Sequence, residues 1–295
     1  MPVYDHRYRG YTGERRASRW LFLTLTRLGL VEVFSSKLIL ILFVASCLPF
    51  LVCAVLIYGA NNADVLSTLQ VTDASPLLKA LEGTLFFWYL VIQSMFAFLL
   101  ASFTGPTLVG PDLVHGAMPL YLSRPISRAD YVLGKLGVLL TLLSAVTWVP
   151  ALVLVGIQAA LAREGWLGDR WRIPFAMFVG SWLWIVLLSL LALAISAWIR
   201  WRPLATSALF IVFIVGTAFG TVTNVTLDTR WGGLLMLGGM AKKIWTDLFG
   251  DVPFVGGVAS DSGLPVAVCW LGLAAACAVS LAILHKKIRA YEVVR

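Results

Sequence analysis

Six apolar segments, each at least 20 residues long, constrain the fold of this 295-residue chain more than any other feature. A helix of about 20 apolar residues crosses the roughly 30 Å hydrocarbon core of a bilayer. Hydrophobic residues make up 60% of the chain and charged residues 13%, about half the charged share of soluble domains. The sequence therefore predicts an all-α, polytopic membrane protein. Its six predicted transmembrane helices are 38–59, 83–104, 136–161, 174–198, 203–224 and 265–284.

The distribution of basic residues predicts the orientation of these spans. Sixteen of the 23 Lys and Arg residues fall on one predicted side, in segments 1–37, 105–135, 199–202 and 285–295. The other seven fall in the opposite loops, 60–82, 162–173 and 225–264. Because Lys and Arg concentrate in cytoplasmic loops, both termini are predicted to be cytoplasmic. The predicted location is a bacterial-type cytoplasmic (inner) membrane. Contact with anionic membrane lipid explains the net charge of +8 without a nucleic-acid partner.

Two prolines in the middle of spans predict kinks. Pro49 lies inside the first span and Pro150 inside the third. Proline lacks the backbone N–H that would bond the carbonyl four residues earlier, so each kink frees carbonyl oxygens within the membrane. Neighbouring helices or water must then satisfy those carbonyls.

Three segments outside the spans complete a single transmembrane domain, 1–295. Within the N-terminal part, 1–37, residues 15–36 are too charged to cross a bilayer but have an apolar side. They are predicted to form a helix in the inner interface or, equally, one packed against the protein's own spans. Segment 225–264 mixes Gly, Leu and Trp without reaching spanning length, which predicts a re-entrant or interfacial outer element before span six. The third segment is 105–135, between spans two and three.

The predicted spans contain no Asp, Glu, Lys, Arg or His. Ion-driven carriers and membrane enzymes need titratable or metal-binding groups at depth, so both classes are disfavoured. Gln93, Ser94 and Gln158 are the candidate substrate-path residues, although polar residues in spans usually bond between helices. A glutamine in hydrocarbon needs a partner, so Gln93 either ties helices together or faces a substrate path.

Residues 105–135, GPTLVGPDLVHGAMPLYLSRPISRADYVLGK, form a basic connector with four prolines. Pro111 suits the first turn of a helix, and Asp112 suits its positive N-terminal end. Pro125 takes the chain out of helix after Arg124, so the connector is predicted to contain a short rigid lever.

Basic residues of the connector have several candidate partners. Arg124 and Arg128 suit acidic groups on another protein or lipid phosphate. Lys135, at the base of span three, is expected to extend toward lipid headgroups. Lys135 follows Gly134 but precedes Leu136, and no GxxxxGK[ST] motif occurs in the chain. The chain is therefore predicted to bind no nucleotide cofactor and to be no catalyst by itself.

The order of residues in the connector resembles the cytoplasmic signature of type 2 ABC exporter permeases. That signature has an acidic residue, a small residue about four positions later, Leu-Leu-Ser-x-Pro-x-x-Arg, and a Gly-Lys pair leading into the third span. This chain has Asp112, Gly116, LYLSRPISR at 120–128, and Gly134-Lys135. The number of spans, the interfacial helix and the long outer element are similar to that family as well. His115 and Pro119 depart from the helix formers that the family has at those positions.

The resemblance implies a coupling helix, roughly 109–122, that seats in a groove of a separate cytoplasmic ATPase. The ATPase-coupling residues would be Asp112, His115, Gly116, Pro119, Arg124, Pro125 and Arg128. A second permease, identical or related, and two ATPase subunits that bind the ATP would complete the transporter.

Two functions remain open at this point. The resemblance implies ATP-driven export or extrusion of an unknown substrate, and the absence of charge in the spans favours an apolar or amphipathic one. Alternatively, the chain is a structural or assembly subunit of a larger membrane complex and transports nothing itself. A stable ATPase partner whose turnover responds to cargo distinguishes the two.

Overall fold

The computed structural model describes residues 21–62, 83–114, 128–162, 165–199, 201–250 and 263–287. Every regular element in these ranges is helical. Six helical segments are long and apolar enough to cross a membrane, which confirms the all-α fold, the number of spans and the multi-pass class. We number them one to six: Lys37–Asn61, Thr84–Asp112, Ala129–Leu161, Arg172–Trp198, Arg202–Leu227 and Val266–Lys287.

Spans one to three are each divided into shorter helices. The helices of span one are Lys37–Ala45 and Cys47–Asn61. Those of span two are Thr84–Leu108 and the short Gly110–Val114. Those of span three are Arg128–Val146 and Trp148–Leu161. Outside the spans lie the helices Leu21–Phe34, Trp166–Asp169 and Leu237–Phe249 and the 3₁₀ segment Trp231–Leu235.

Spans one and three are each interrupted in the turn before the proline for which a kink was predicted. Span one is interrupted at Ser46, three residues before Pro49, and span three at Thr147, three residues before Pro150. The Thr147 backbone leaves the helical region, with φ −101° and ψ −89°. Both interruptions lie in the turn before the proline, where its ring and missing N–H disturb the helix.

Spans two, three and four form the interior of the bundle, and spans one, five and six lie around it with most of their surface exposed. Small residues let the central spans approach closely. A Cβ atom on Gly105 of span two would lie 2.6 Å from the Cβ of Ala192 of span four. We call the end of the bundle at which span two ends and span three begins the connector side. The opposite end, at which the hairpin described below follows span five, is the hairpin side.

The helix Leu21–Phe34 packs along the connector-side half of span three. Thr26 Oγ1 lies 3.0 Å from the carbonyl oxygen of Gly134. A Cβ on Gly134 would lie 2.7 Å from Leu25 Cβ, and one on Gly137 would lie 2.5 Å from Thr26 Oγ1. Glycine at these two positions is what permits the close approach. This segment was predicted either to lie in the inner interface or to pack against the protein's own spans. The described helix packs against the spans.

Residues after span five fold back along the bundle as a helical hairpin, which we call the return hairpin (Trp231–Leu235 and Leu237–Phe249). Its first arm packs on span five, where a Cβ on Gly216 would lie 2.7 Å from the Leu235 carbonyl oxygen. Its second arm packs on spans four and six, and Trp245 Nε1 donates to the Gly180 carbonyl at 3.0 Å. The predicted element before span six is thus a hairpin embedded among three spans.

Candidate functional site

The entrance to the connector is bonded to span four. Span two continues beyond its predicted end at 104, because Pro106 is accommodated inside the helix Thr84–Leu108. Gly110 then begins the short helix, and its N–H donates to Ser196 Oγ at 2.9 Å. Pro111 and Asp112 occupy the first turn of that helix, as predicted. The predicted coupling helix 109–122 is described only to Val114.

The exit of the connector is bonded to its entrance through Asp112. The Nζ atom of Lys135 lies 2.9 Å from Asp112 Oδ2, and Tyr131 donates its hydroxyl to the same oxygen at 2.7 Å. Lys135 and Tyr131 are buried, and Asp112 is partly buried. Because paired groups inside a protein attract more strongly than exposed ones, this ion pair holds the two ends of the connector together.

This contact corrects the expectation for Lys135. The residue was predicted to extend toward lipid headgroups, but only 7% of its surface is exposed and its ammonium faces Asp112. Helix formation begins at Arg128, eight residues before the predicted start of span three, and this brings Lys135 inside the helix. The preceding Gly134 has a separate role, because it admits the helix Leu21–Phe34 against span three.

Most of the other predicted coupling residues lie outside the described residues. These are His115, Gly116, Pro119, Arg124 and Pro125. Arg128 begins the first helix of span three, and its side chain is not among those described.

Gln93 joins three spans near the centre of the bundle. Its Nε2 atom donates to the carbonyl oxygens of Ser46 in span one, at 2.9 Å, and Val146 in span three, at 2.7 Å. Val146 is the residue whose carbonyl Pro150 cannot bond, and Ser46 interrupts span one before Pro49. One side-chain amide therefore satisfies a carbonyl at each of the two kinks.

The Gln158 side chain and the Ser94 backbone also join helices, whereas the Ser94 hydroxyl bonds the Val91 carbonyl of its own helix at 2.6 Å. The carbonyl oxygen of Ser94 accepts a hydrogen bond from Trp184 Nε1 of span four at 3.0 Å. Gln158 Oε1 accepts one from Asn61 Nδ2 of span one at 3.0 Å. Gln158 lies twelve residues beyond Val146, about 18 Å along the helix axis, so the structure does not bring it to Gln93. All three residues are buried.

Several residues at these junctions were not singled out from the sequence. Tyr131 and Ser196 hold Asp112 and Gly110, and Thr26 holds the N-terminal helix. Tyr131 lies four residues before Lys135, which places both on one helix face. This spacing could have identified Tyr131 from the sequence. Ser196 and Thr26 had no such signal, because their hydrogen-bond partners are 86 and 108 residues away in the chain.

Comparison of the chain with protein-family models and with curated proteins gives no match. Within the part of the chain that the structure describes, no group of three or more His, Cys, Asp or Glu side chains is arranged to hold a metal ion. The candidate site is therefore described from its contacts and distances alone. It is a connector whose two ends are joined by an ion pair and bonded to spans two, three and four.

Proposed function

We propose that this chain is the transmembrane permease subunit of an ATP-binding cassette exporter, driven by ATP hydrolysis in a separate cytoplasmic ATPase. The observation that carries the proposal is the ion pair between Asp112 and Lys135, 2.9 Å apart, which joins the two ends of the connector. A partner that displaces the connector acts on spans two and three together. The Gly110–Ser196 bond extends this action to span four.

The resemblance to type 2 ABC exporter permeases gives the connector its partner. In this proposal residues 109–122 form the coupling helix, and Gly116 lies where the ATPase approaches most closely. Arg124 and Arg128 pair with acidic groups around the groove. The connector side is then cytoplasmic, in agreement with the 16 to 7 division of Lys and Arg.

Two further features support an exporter of this type. The return hairpin packs among spans four, five and six, which agrees with a re-entrant element on the outer side of the membrane. Spans one, five and six expose long apolar faces, including Val55, Ile214 and Leu271, each at least 64% exposed. Lipid and a second permease, as a homo- or heterodimer, would cover these faces.

The alternative is a structural or assembly subunit of a membrane complex with no substrate of its own. The same joined connector would transmit mechanical work to a membrane partner. What favours it is that the side chains of Gln93 and Gln158 bond between helices, and that the Ser94 hydroxyl bonds the Val91 carbonyl of its own helix. Cargo-dependent ATP turnover distinguishes the two functions.

The deciding experiment is purification in a mild detergent with identification of the chains that co-purify, followed by measurement of ATP turnover. We expect a cytoplasmic ATPase in the complex and no hydrolysis by the isolated chain. Gly116→Trp, which obstructs close approach, and Arg124→Glu, which inverts a charge, should each lower partner affinity by about 1 to 3 kcal/mol.

Arg163→Glu is the matched control, because it makes the same charge change in the loop between spans three and four, on the hairpin side. It should leave the amount of ATPase and the turnover unchanged. If both connector variants retain wild-type amounts of partner and wild-type turnover, the connector does not couple to an ATPase and the proposal fails.

A further inference from the structure

The connector-side ends of spans four and six meet in a contact between a lysine and a tryptophan. The Nζ atom of Lys287 lies over the ring of Trp198, 5.1 Å from its centroid. Span four ends at this tryptophan, and span six ends at this lysine. The ammonium is attracted by the negative face of the indole ring, which carries no net charge. The contact therefore positions a cation without neutralising it.

Two more cations lie at the same end of the bundle. Lys286 is exposed in the last turn of span six, and Arg202 is exposed at the start of span five. Within the part of the chain that the structure describes, neither side chain has an ion-pair partner. Segments 190–207 and 280–287 contain no Asp or Glu. The adjoining ends of spans four, five and six therefore present net positive charge, which favours an anionic ligand.

This charge lies at the level of the lipid headgroups. The two lysines follow the apolar segment 265–284 by two and three residues, so both lie beyond the part of span six that crosses hydrocarbon. Trp198 and Trp201 are 63% and 68% exposed. Tryptophan is enriched where the membrane meets water, because its ring is apolar and its N–H is polar. Sequence position and residue type thus place this surface at the membrane–water interface.

An apolar helix face continues from Lys286 into the membrane. Ala282 and Val279 lie four and seven residues before it, which places all three on one face of span six. Both apolar residues are exposed, Val279 by 58%. Seven residues correspond to about 10 Å along the helix. The order from surface to depth is thus cationic and then apolar, which is the order of headgroup and acyl chain in a membrane lipid.

We infer that the connector-side ends of spans four and six form a binding site for an anionic phospholipid, with the headgroup phosphate at Lys286 and Lys287. An acyl chain lies along the face of Ala282 and Val279. Lys286 offers three N–H donors, and Lys287 keeps those that point away from the Trp198 ring. The two lysines repel the cation of a zwitterionic headgroup, so the site selects a lipid with net negative charge. This site requires no ATPase, so its test is separate from that of the proposed function.

The test is native mass spectrometry of the full-length chain purified in dodecyl maltoside, with added phosphatidylglycerol or phosphatidylcholine. The wild-type chain should retain phosphatidylglycerol at least about tenfold better than the zwitterionic lipid, since each lysine contributes about a fivefold preference. Lys286→Gln with Lys287→Gln should remove most of this preference, and Lys286→Arg with Lys287→Arg should keep it. An excess of inorganic phosphate should not displace the lipid, because phosphate has no acyl chain for the apolar face to hold.

Trp198→Leu separates a positioned cation from a diffuse positive surface. It keeps every charge but removes the ring that holds Lys287. The preference for phosphatidylglycerol should fall about two- to fivefold, the strength of an exposed cation–π contact.

Arg27→Gln with Lys37→Gln is the matched control, because it removes two exposed cations from the connector side at other helices. Arg27 lies on the helix Leu21–Phe34, which packs on span three, and Lys37 begins span one. This variant should keep most of the preference. Melting temperature verifies that each variant is folded, and the single variant Lys286→Gln gives an intermediate preference if the double variant does not fold.

Four outcomes would overturn the inference. They are equal retention of both lipids by the wild-type chain, an unchanged preference in the double glutamine variant or in Trp198→Leu, a loss in the control as large as in the double glutamine variant, and displacement of the lipid by inorganic phosphate.

Discussion

The side-chain amide of Gln93 donates a hydrogen bond of 2.7 Å to the carbonyl oxygen of Val146, the acceptor that Pro150 leaves without its usual donor. The same Nε2 atom bonds the carbonyl of Ser46 beside the other kink. One glutamine thus bonds the carbonyl that Pro150 leaves free and a second carbonyl at the interruption that precedes Pro49. This arrangement makes the polar residue and the two kinks a single structural unit.

Gln93→Leu should therefore destabilise the bundle by about 2 kcal/mol, because it removes two hydrogen bonds and leaves the Val146 carbonyl without a donor in an apolar interior. Pro150→Ala restores an N–H that can bond Val146, so the cost of Gln93→Leu should fall by about 1 kcal/mol in that background. Thermal unfolding of the four proteins in this double-mutant cycle measures the coupling. Strictly additive effects would show that Gln93 does not serve the kink.

The ion pair between Asp112 and Lys135 should contribute both to the unfolding free energy of the chain and to the ATP turnover of the purified complex. Lys135→Met leaves the carboxylate of Asp112 without its cation, at a cost of about 3 kcal/mol in unfolding free energy. Tyr131→Phe removes one hydrogen bond and should cost only about 1 kcal/mol.

The exchange variant, Asp112→Lys with Lys135→Asp, supplies the control for this pair. It should recover part of the stability lost in Lys135→Met, and with it the ATP turnover of the purified complex. An exchange variant as impaired as the sum of its two single substitutions would mean that the contact contributes nothing specific.

The glycines of span three should tolerate substitution according to what lies opposite them. Gly137→Val places branched carbon against Thr26 and should displace the helix Leu21–Phe34, at a cost of about 1 to 3 kcal/mol. Gly156→Val, in the same span, adds the same atoms where no neighbour lies within 4 Å of a Cβ. Limited proteolysis before Leu21 and thermal unfolding compare the two, and we expect only Gly137→Val to increase cleavage.

The orientation predicted from Lys and Arg is tested by cysteine labelling in a background without the native cysteines. An impermeant thiol reagent applied to intact cells should modify cysteines on the outer side, at Asp64, Asp169 and Asp261. It should not modify those on the cytoplasmic side, at Ser127, Arg200 and Glu292. Labelling of Arg200→Cys from outside would contradict the six-span topology.

Span number and kink position followed from the sequence because both depend on local composition. Twenty apolar residues must become helix in hydrocarbon wherever their neighbours lie, and the proline ring disturbs its own preceding turn. Pro49 and Pro150 therefore marked the breaks at Ser46 and Thr147 before any packing was known. The helix beginning at Gly110, with Pro111 and Asp112 in its first turn, was predictable for the same reason.

The tertiary structure decided which group each polar side chain bonds, because hydrogen bonds and ion pairs depend on distances between residues far apart in the chain. The sequence left two roles open for Gln93, and the packing of span two beside spans one and three selected the bond between helices. For Lys135 the sequence favoured lipid as the partner, but the helix that begins at Arg128 turns this side chain toward Asp112. Composition likewise showed six spans without charge. Only the fold of the return hairpin placed Lys242 and Lys243 among them, because depth in a membrane is set by what an element packs against and not by its own hydropathy.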